Sequence, residues 1–173
     1  QDINVTDCKA ANEKALDAIS RGANAITFRL EYDKLYTDLE LSALLNGINT
    51  KEVELSFYNN KYHLPLLEQL SRIPDLRGSL NYDPLTRYIR RGTWFISEST
   101  DMELAYILTK ADMPGFQTIG INAHVFTNAG ATIAQEMAFA LAIGAEYLDK
   151  LTDTDLSIDA ILPKMRFNVA VGQ

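Results

Sequence analysis

Two histidines, one cysteine and a knot of arginines are the side chains whose chemistry stands out. His63 and His124 are too few for a histidine metal site, and Cys8 alone allows neither a disulfide nor a cysteine zinc site within one chain. His63 reads as a residue at a helix start. His124 directly follows a strand pattern at residues 117–123, where loops of parallel α/β folds gather ligands, although a structural imidazole fits there equally well. Arg87, Arg90 and Arg91 cluster in an otherwise acidic chain. Their forked donors suit a carboxylate or phosphate, and a solvated helix face is the equally weighted alternative. Ser97 and Ser99 lack a nucleophile elbow, and no Ser, His and acid set is recognisable by spacing. Gly115, Gly120 and Gly130 stand too far apart for a P-loop or a dinucleotide turn. Gly130 is expected at the entrance of a long helix, where free backbone N–H groups can hold an anion, and its plainer reading is a turn. Asp153 and Asp155 read as carboxylates that solvate a surface loop.

The elements that must position these residues alternate between helical periodicity and short β-rich runs. Thr6-Asp7 caps a predicted helix over 8–21 that Gly22 stops. A strand over 25–30, a helix over 39–45 and a strand over 53–57 follow. A helix over 64–70 ends before Pro74, and a strand over 76–81 runs into a polar loop at Asp83-Pro84. Next come a helix over 101–111, the strand over 117–123 and the longest helical segment, 130–148, with Ile133, Met137, Leu141, Ala145 and Leu148 predicted on its core face. A short helix over 157–162 and a β-rich run over 166–171 close the chain.

About five strands alternating with helices imply an α/β fold with a parallel sheet, either a partial TIM-type βα barrel or an open sheet. A complete barrel takes about 250 residues, so length alone favours the open sheet. The 173 residues, 47% hydrophobic and 23% charged, fit a single domain. A net charge of -7 with 16 Lys and Arg argues against nucleic acid or an anionic membrane surface as partner, and no apolar stretch is long enough to span a bilayer. Cytoplasm is the expected compartment. The chain opens on Gln1 without an initiator Met, so it is expected to be cut from something longer.

Residues 118–150, TIGINAHVFTNAGATIAQEMAFALAIGAEYLDK, carry a specific pattern. A strand runs into a polar turn, then Ala129-Gly130-Ala131-Thr132, then a helix with Glu136-Met137-Ala138-Phe139, Leu141-Ala142 and Gly144. This resembles the barrel domain of the methylmalonyl-CoA mutase family, and weaker collinear similarity covers Arg21-Gly22-Ala23, 78–84 and 165–172. The resemblance implies a βα barrel, with this chain a fragment from which the cobalamin-binding domain is absent. Catalytic members carry a Tyr-His pair where this chain has His124-Val125. The imidazole stands one residue early, which along a strand turns it to the opposite face. Their carboxylate-gripping arginine falls at Arg91, with Arg90 one slip away, and their Gln-Asn pair becomes Asn81 and Tyr82. The implied substrate-binding positions are therefore Asn81, Arg91, Asn122 and His124, with no catalytic residue and no metal ligand.

These departures resemble the small, noncatalytic subunit, which supports a large catalytic subunit. The resemblance further implies adenosylcobalamin in the parent complex but none bound to this chain, acyl-CoA as a ligand, and self-association through open barrel edges. A catalytic mutase that acts only at full length, and an independent small α/β ligand-binding protein, are the competing expectations.

Overall fold

A computed structural model describes residues 1–170. Six parallel strands form one sheet in the order β1-β2-β3-β4-β5-β6, and among the described residues the order does not return to β1. The α/β class expected from the alternation is what forms, with an unclosed sheet. The chain divides into two compact units, Gln1–Leu80 with Asp112–Phe116, and Asn81–Ala111 with the residues from Gln117 on.

In the first unit, β1 (Asp2–Asn4) pairs with β2 (Ala25–Arg29), which pairs with β3 (Glu54–Tyr58) and, through it, the start of β4 (Gly78–Tyr82). Helix α1 (Cys8–Ser20) starts where Asp7 accepts the Ala10 N–H at 2.8 Å and stops at Gly22, whose φ of 99° is left-handed. Helix α2 (Asp38–Leu45) opens with a reciprocal capping box between Thr37 and Glu40, and α3 spans His63–Leu70. The predicted bounds of these elements are met within a residue or two. In register, Ile26 faces Leu55 and Phe28 faces Phe57, and their buried side chains make one face of the sheet apolar. The alternate residues Thr27, Ser56 and Ser79 make the other face polar, where Ser79 Oγ donates to Ser56 Oγ at 3.0 Å. Gly78 is the one residue β4 can carry at its start, because a Cβ there would lie 1.8 Å from the Leu55 carbonyl oxygen and φ is +137°.

The second unit holds the end of β4, then α4 (Pro84–Arg91), α5 (Glu98–Thr109), β5 (Phe116–Ile121), α6 (His124–Asn128), α7 (Ile133–Thr152), α8 (Ile158–Ile161), a 3₁₀ turn at Leu162–Lys164 and β6 (Met165–Phe167). Strands β5 and β6 pair with Ile119 on Met165 and Ile121 on Phe167. The final run is shorter than 166–171, and Val171 lies outside the described residues.

Three expectations are overturned in this unit. The loop at Asp83-Pro84 is a helix start, with Asp83 accepting the Thr86 N–H and Pro84 at the first helical position, where its missing N–H costs nothing. Gly130 does not open α7. It sits at φ 97° two residues before the cap, and Thr132 with Gln135 forms the capping box instead. The buried face of α7 is Glu136, Ala140, Ile143, Gly144, Tyr147 and Leu151, whereas Ile133, Met137 and Leu141 are 70%, 46% and 62% exposed. Hydrogen bonds decide this, because partners inside the unit satisfy the Glu136 and Tyr147 oxygens and the absent side chain of Gly144 admits the Phe167 ring. Strand β1 and helix α6 also form where no element was expected. No helix among the described residues is long and apolar enough to cross a membrane.

Candidate functional site

The strand ends of the second unit carry three asparagines on the polar side of the sheet. Asn81, the next-to-last residue of β4, has φ 56°, a left-handed conformation that asparagine tolerates. Its Nδ2 donates to Asn122 Oδ1 at 3.2 Å, and Asn168 Nδ2 donates to Asn81 Oδ1 at 2.8 Å and to Asn122 Oδ1 at 3.1 Å. A closed triangle of amides results. Gly120 makes room for it, since a Cβ there would lie 1.9 Å from Asn81 Oδ1.

Beneath the triangle lies a carboxylate. Asp83 is 7% exposed, and its Oδ2 accepts both the backbone N–H and the Nδ2 of Asn122 at 2.8 Å. Its Oδ1 accepts the Tyr147 hydroxyl at 2.9 Å and the Thr86 N–H at 3.0 Å, while Leu85 N–H donates to the same hydroxyl. Burial pushes the Asp83 carboxyl above its ordinary range, opposed by these donors. Burial, then the neighbouring Asp83, also drives the Tyr147 phenol far upward. With four donors directed at it, Asp83 has no lone pair to spare for proton transfer; it orients Asn122.

Beside this network, His124 begins α6, half-buried, its backbone N–H donating to the Asn168 carbonyl at 3.1 Å. The strand has already ended at Ile121, so the expected turn of this imidazole to the opposite face does not arise: helical geometry, not strand alternation, sets its direction. Buried Glu136 accepts the Thr127 hydroxyl and, at 2.6 Å, the Ala170 N–H. These two bonds, Thr127 first, hold its carboxyl below its ordinary range, with a smaller contribution from His124.

Of the expected positions, the structure joins Asn81 and Asn122 directly and brings His124 to the same strand ends. Arg91 stands apart from the triangle's hydrogen bonds. It lies exposed in the last turn of α4 with Arg90, and neither makes an ion pair among the described residues. Arg87 lies over the Phe95 ring at 4.4 Å. Tyr82, the expected partner of Asn81, faces away into the apolar layer, 1% exposed and stacked on Phe95. Asp83, Tyr147, Asn168 and Glu136 went unnoticed as site residues. Asp83 followed by Pro84 was the available signal, an N-cap and N1 pair; nothing local marks Asn168 or Tyr147, which join only through the fold.

Polar residues gathered at the carboxyl ends of parallel strands mark the candidate site of an α/β protein. Residues 34–173 match the family described as methylmalonyl-CoA mutase, and the chain belongs to that family. The methylmalonyl-CoA mutase small subunit of Porphyromonas gingivalis is 35% identical over 99% of this chain and 29% of its own length. The large subunit of the same organism is 28% identical over 77% of this chain and 20% of its own length. The methylmalonyl-CoA mutase of Escherichia coli is 30% identical over the same shares, 77% and 20%. The chain thus spans less than a third of each of these relatives.

Proposed function

We propose that this chain is barrel-region sequence of a methylmalonyl-CoA mutase small subunit, one domain over residues 1–173, that supports a large catalytic subunit in the cytoplasm. The observation carrying this reading is the filled strand-end site. Asn81, Asn122 and Asn168 hydrogen-bond one another, and Asp83 is engaged by Asn122, Tyr147 and Thr86. Breaking that network to seat a thioester leaves half-buried donors without partners, at about 1 kcal/mol for each. The similarity to a small subunit over nearly the whole chain points the same way.

In the parent complex, adenosylcobalamin supplies the radical for interconverting methylmalonyl-CoA and succinyl-CoA. No group of three or more His, Cys, Asp or Glu among the described residues can hold a metal ion, and no residue of this chain is assigned to the cofactor. Asn81, Asn122, Arg91 and His124 are the positions where an acyl-CoA contact would fall. His124 can donate to a carbonyl, and Arg91 can grip a carboxylate from the exposed end of α4.

Size-exclusion chromatography of the full-length parent mixed with a large mutase subunit tests the reading. A one-to-one complex is expected, with methylmalonyl-CoA turnover only when the large subunit is present. Turnover by the parent alone overturns the noncatalytic role, and absence of a complex overturns the supporting one.

A further inference from the structure

Asn46-Gly47 is the one Asn-Gly pair in the sequence, and it forms the exit of α2. Every other asparagine precedes a residue with a Cβ, which hinders attack by that residue's backbone nitrogen; glycine does not. Both residues are exposed, and Gly47 sits at φ 75°. Among the described residues, neither the Asn46 side-chain amide nor the Gly47 N–H has a hydrogen-bond partner. Electrophile and nucleophile are adjacent and unprotected.

One contact opposes their reaction. Asn12, 6% exposed on α1, donates through Nδ2 to the Leu44 carbonyl at 2.8 Å and to the Asn46 carbonyl at 2.9 Å. Asn46 has ψ 126°, which turns the Gly47 nitrogen away from its own side chain. Rotation about ψ brings that nitrogen onto Cγ, and the same rotation swings the Asn46 carbonyl off Asn12.

We propose that Asn46 is a site of spontaneous deamidation whose rate the Asn12 amide restrains. The Gly47 nitrogen loses its proton and bonds to Asn46 Cγ, the Cγ–Nδ2 bond breaks, and Nδ2 leaves as ammonia. Water then adds to either carbonyl of the cyclic imide and opens it to an aspartyl or isoaspartyl linkage, so one water enters and one ammonia departs. No oxidant or cofactor is needed. The product places a negative charge at the carboxyl end of α2, the unfavourable end for an anion. The isoaspartyl form also adds a carbon to the backbone and carries the carbonyl away from Asn12.

Peptide mapping by mass spectrometry after incubation at mildly alkaline pH reads the site directly, as a gain of about one dalton confined to the peptide containing residue 46. The folded chain is compared with the same chain in concentrated urea and with Asn12→Ala. Product at position 46 is expected in all three, several-fold slower in the folded wild type than in urea, with Asn12→Ala moving the folded rate toward the urea rate. Circular dichroism establishes whether Asn12→Ala is folded; if it is not, the ratio of folded to urea rates for wild type decides. Equal rates in folded and unfolded wild type overturn the restraint, as does an unchanged rate in folded Asn12→Ala. Absence of product at position 46 from the folded chain, while another asparagine converts, overturns the site.

Discussion

At the scale of single residues, the amide triangle and its carboxylate make sharp demands on their neighbours. Gly120→Ala forces a methyl against Asn81 Oδ1 and its Cα at 3.2 Å, and the expected loss is about 1–3 kcal/mol, read from urea unfolding. Asn81→Ala in the same chain removes the obstructing amide, so the double variant recovers part of that loss. Asp83→Ala leaves the donors of Asn122, Thr86 and Tyr147 unpartnered inside the unit. It is expected to lower stability by about 3 kcal/mol or more, against about 1–3 kcal/mol for Tyr147→Phe, which removes one donor to Asp83 and leaves the Leu85 N–H without its acceptor. Acid sensitivity follows from two groups in the other unit. Burial holds the His63 imidazole down at about 4 from its usual 6.5, so its neutral form is favoured by folding. The associated stability is complete above pH 6.5 and drains away as pH falls toward 4. Glu40 is held at about 2 by the Thr37 N–H, then by Lys34 and the Thr37 hydroxyl; its contribution is present above about pH 4.5 and is lost as pH falls toward 2. Urea titrations of His63→Phe should show a flatter profile between pH 6.5 and 4, and those of Glu40→Gln a flatter one only below 4.5.

At the scale of elements, local chemistry sets boundaries and tertiary contacts set orientation. Thr132→Ala removes a capping-box oxygen from α7 and is expected to cost about 1 kcal/mol, while Thr132→Asp retains the cap; thermal unfolding of the two separates capping from packing. The orientation of α7 was misread because its apolar stripe through Ile133, Met137 and Leu141 is as regular as the one that is buried. Glu136 and Tyr147 look like surface residues until their partners Thr127, Ala170 and Asp83 are known. Helix α4 was missed because Pro84 reads as a breaker unless it is placed at the first turn after an Asp cap. Helix α6, five residues long, is shorter than any window in which periodicity can be seen.

At the scale of the whole molecule, the sheet order leaves β1 and β6 each with a single neighbour among the described residues. Unpaired strand edges template further pairing, so the chain by itself is expected to associate with rising concentration in sedimentation velocity. A chain that stays monomeric at high concentration would overturn the expected self-association. The alternation of periodicities was enough to define the α/β class and most strand and helix positions, because cap residues, glycine stops and β-branched runs act within a few residues of one another. The pattern at 118–150 was enough to reveal kinship with the mutases. What the sequence could not decide is which distant side chains meet. Asn81, Asn122 and Asn168 are far apart along the chain and become one hydrogen-bonded triangle only because three strand ends converge. The direction of His124 likewise depends on β5 stopping at Ile121, which leaves His124 to open α6 instead of extending the strand.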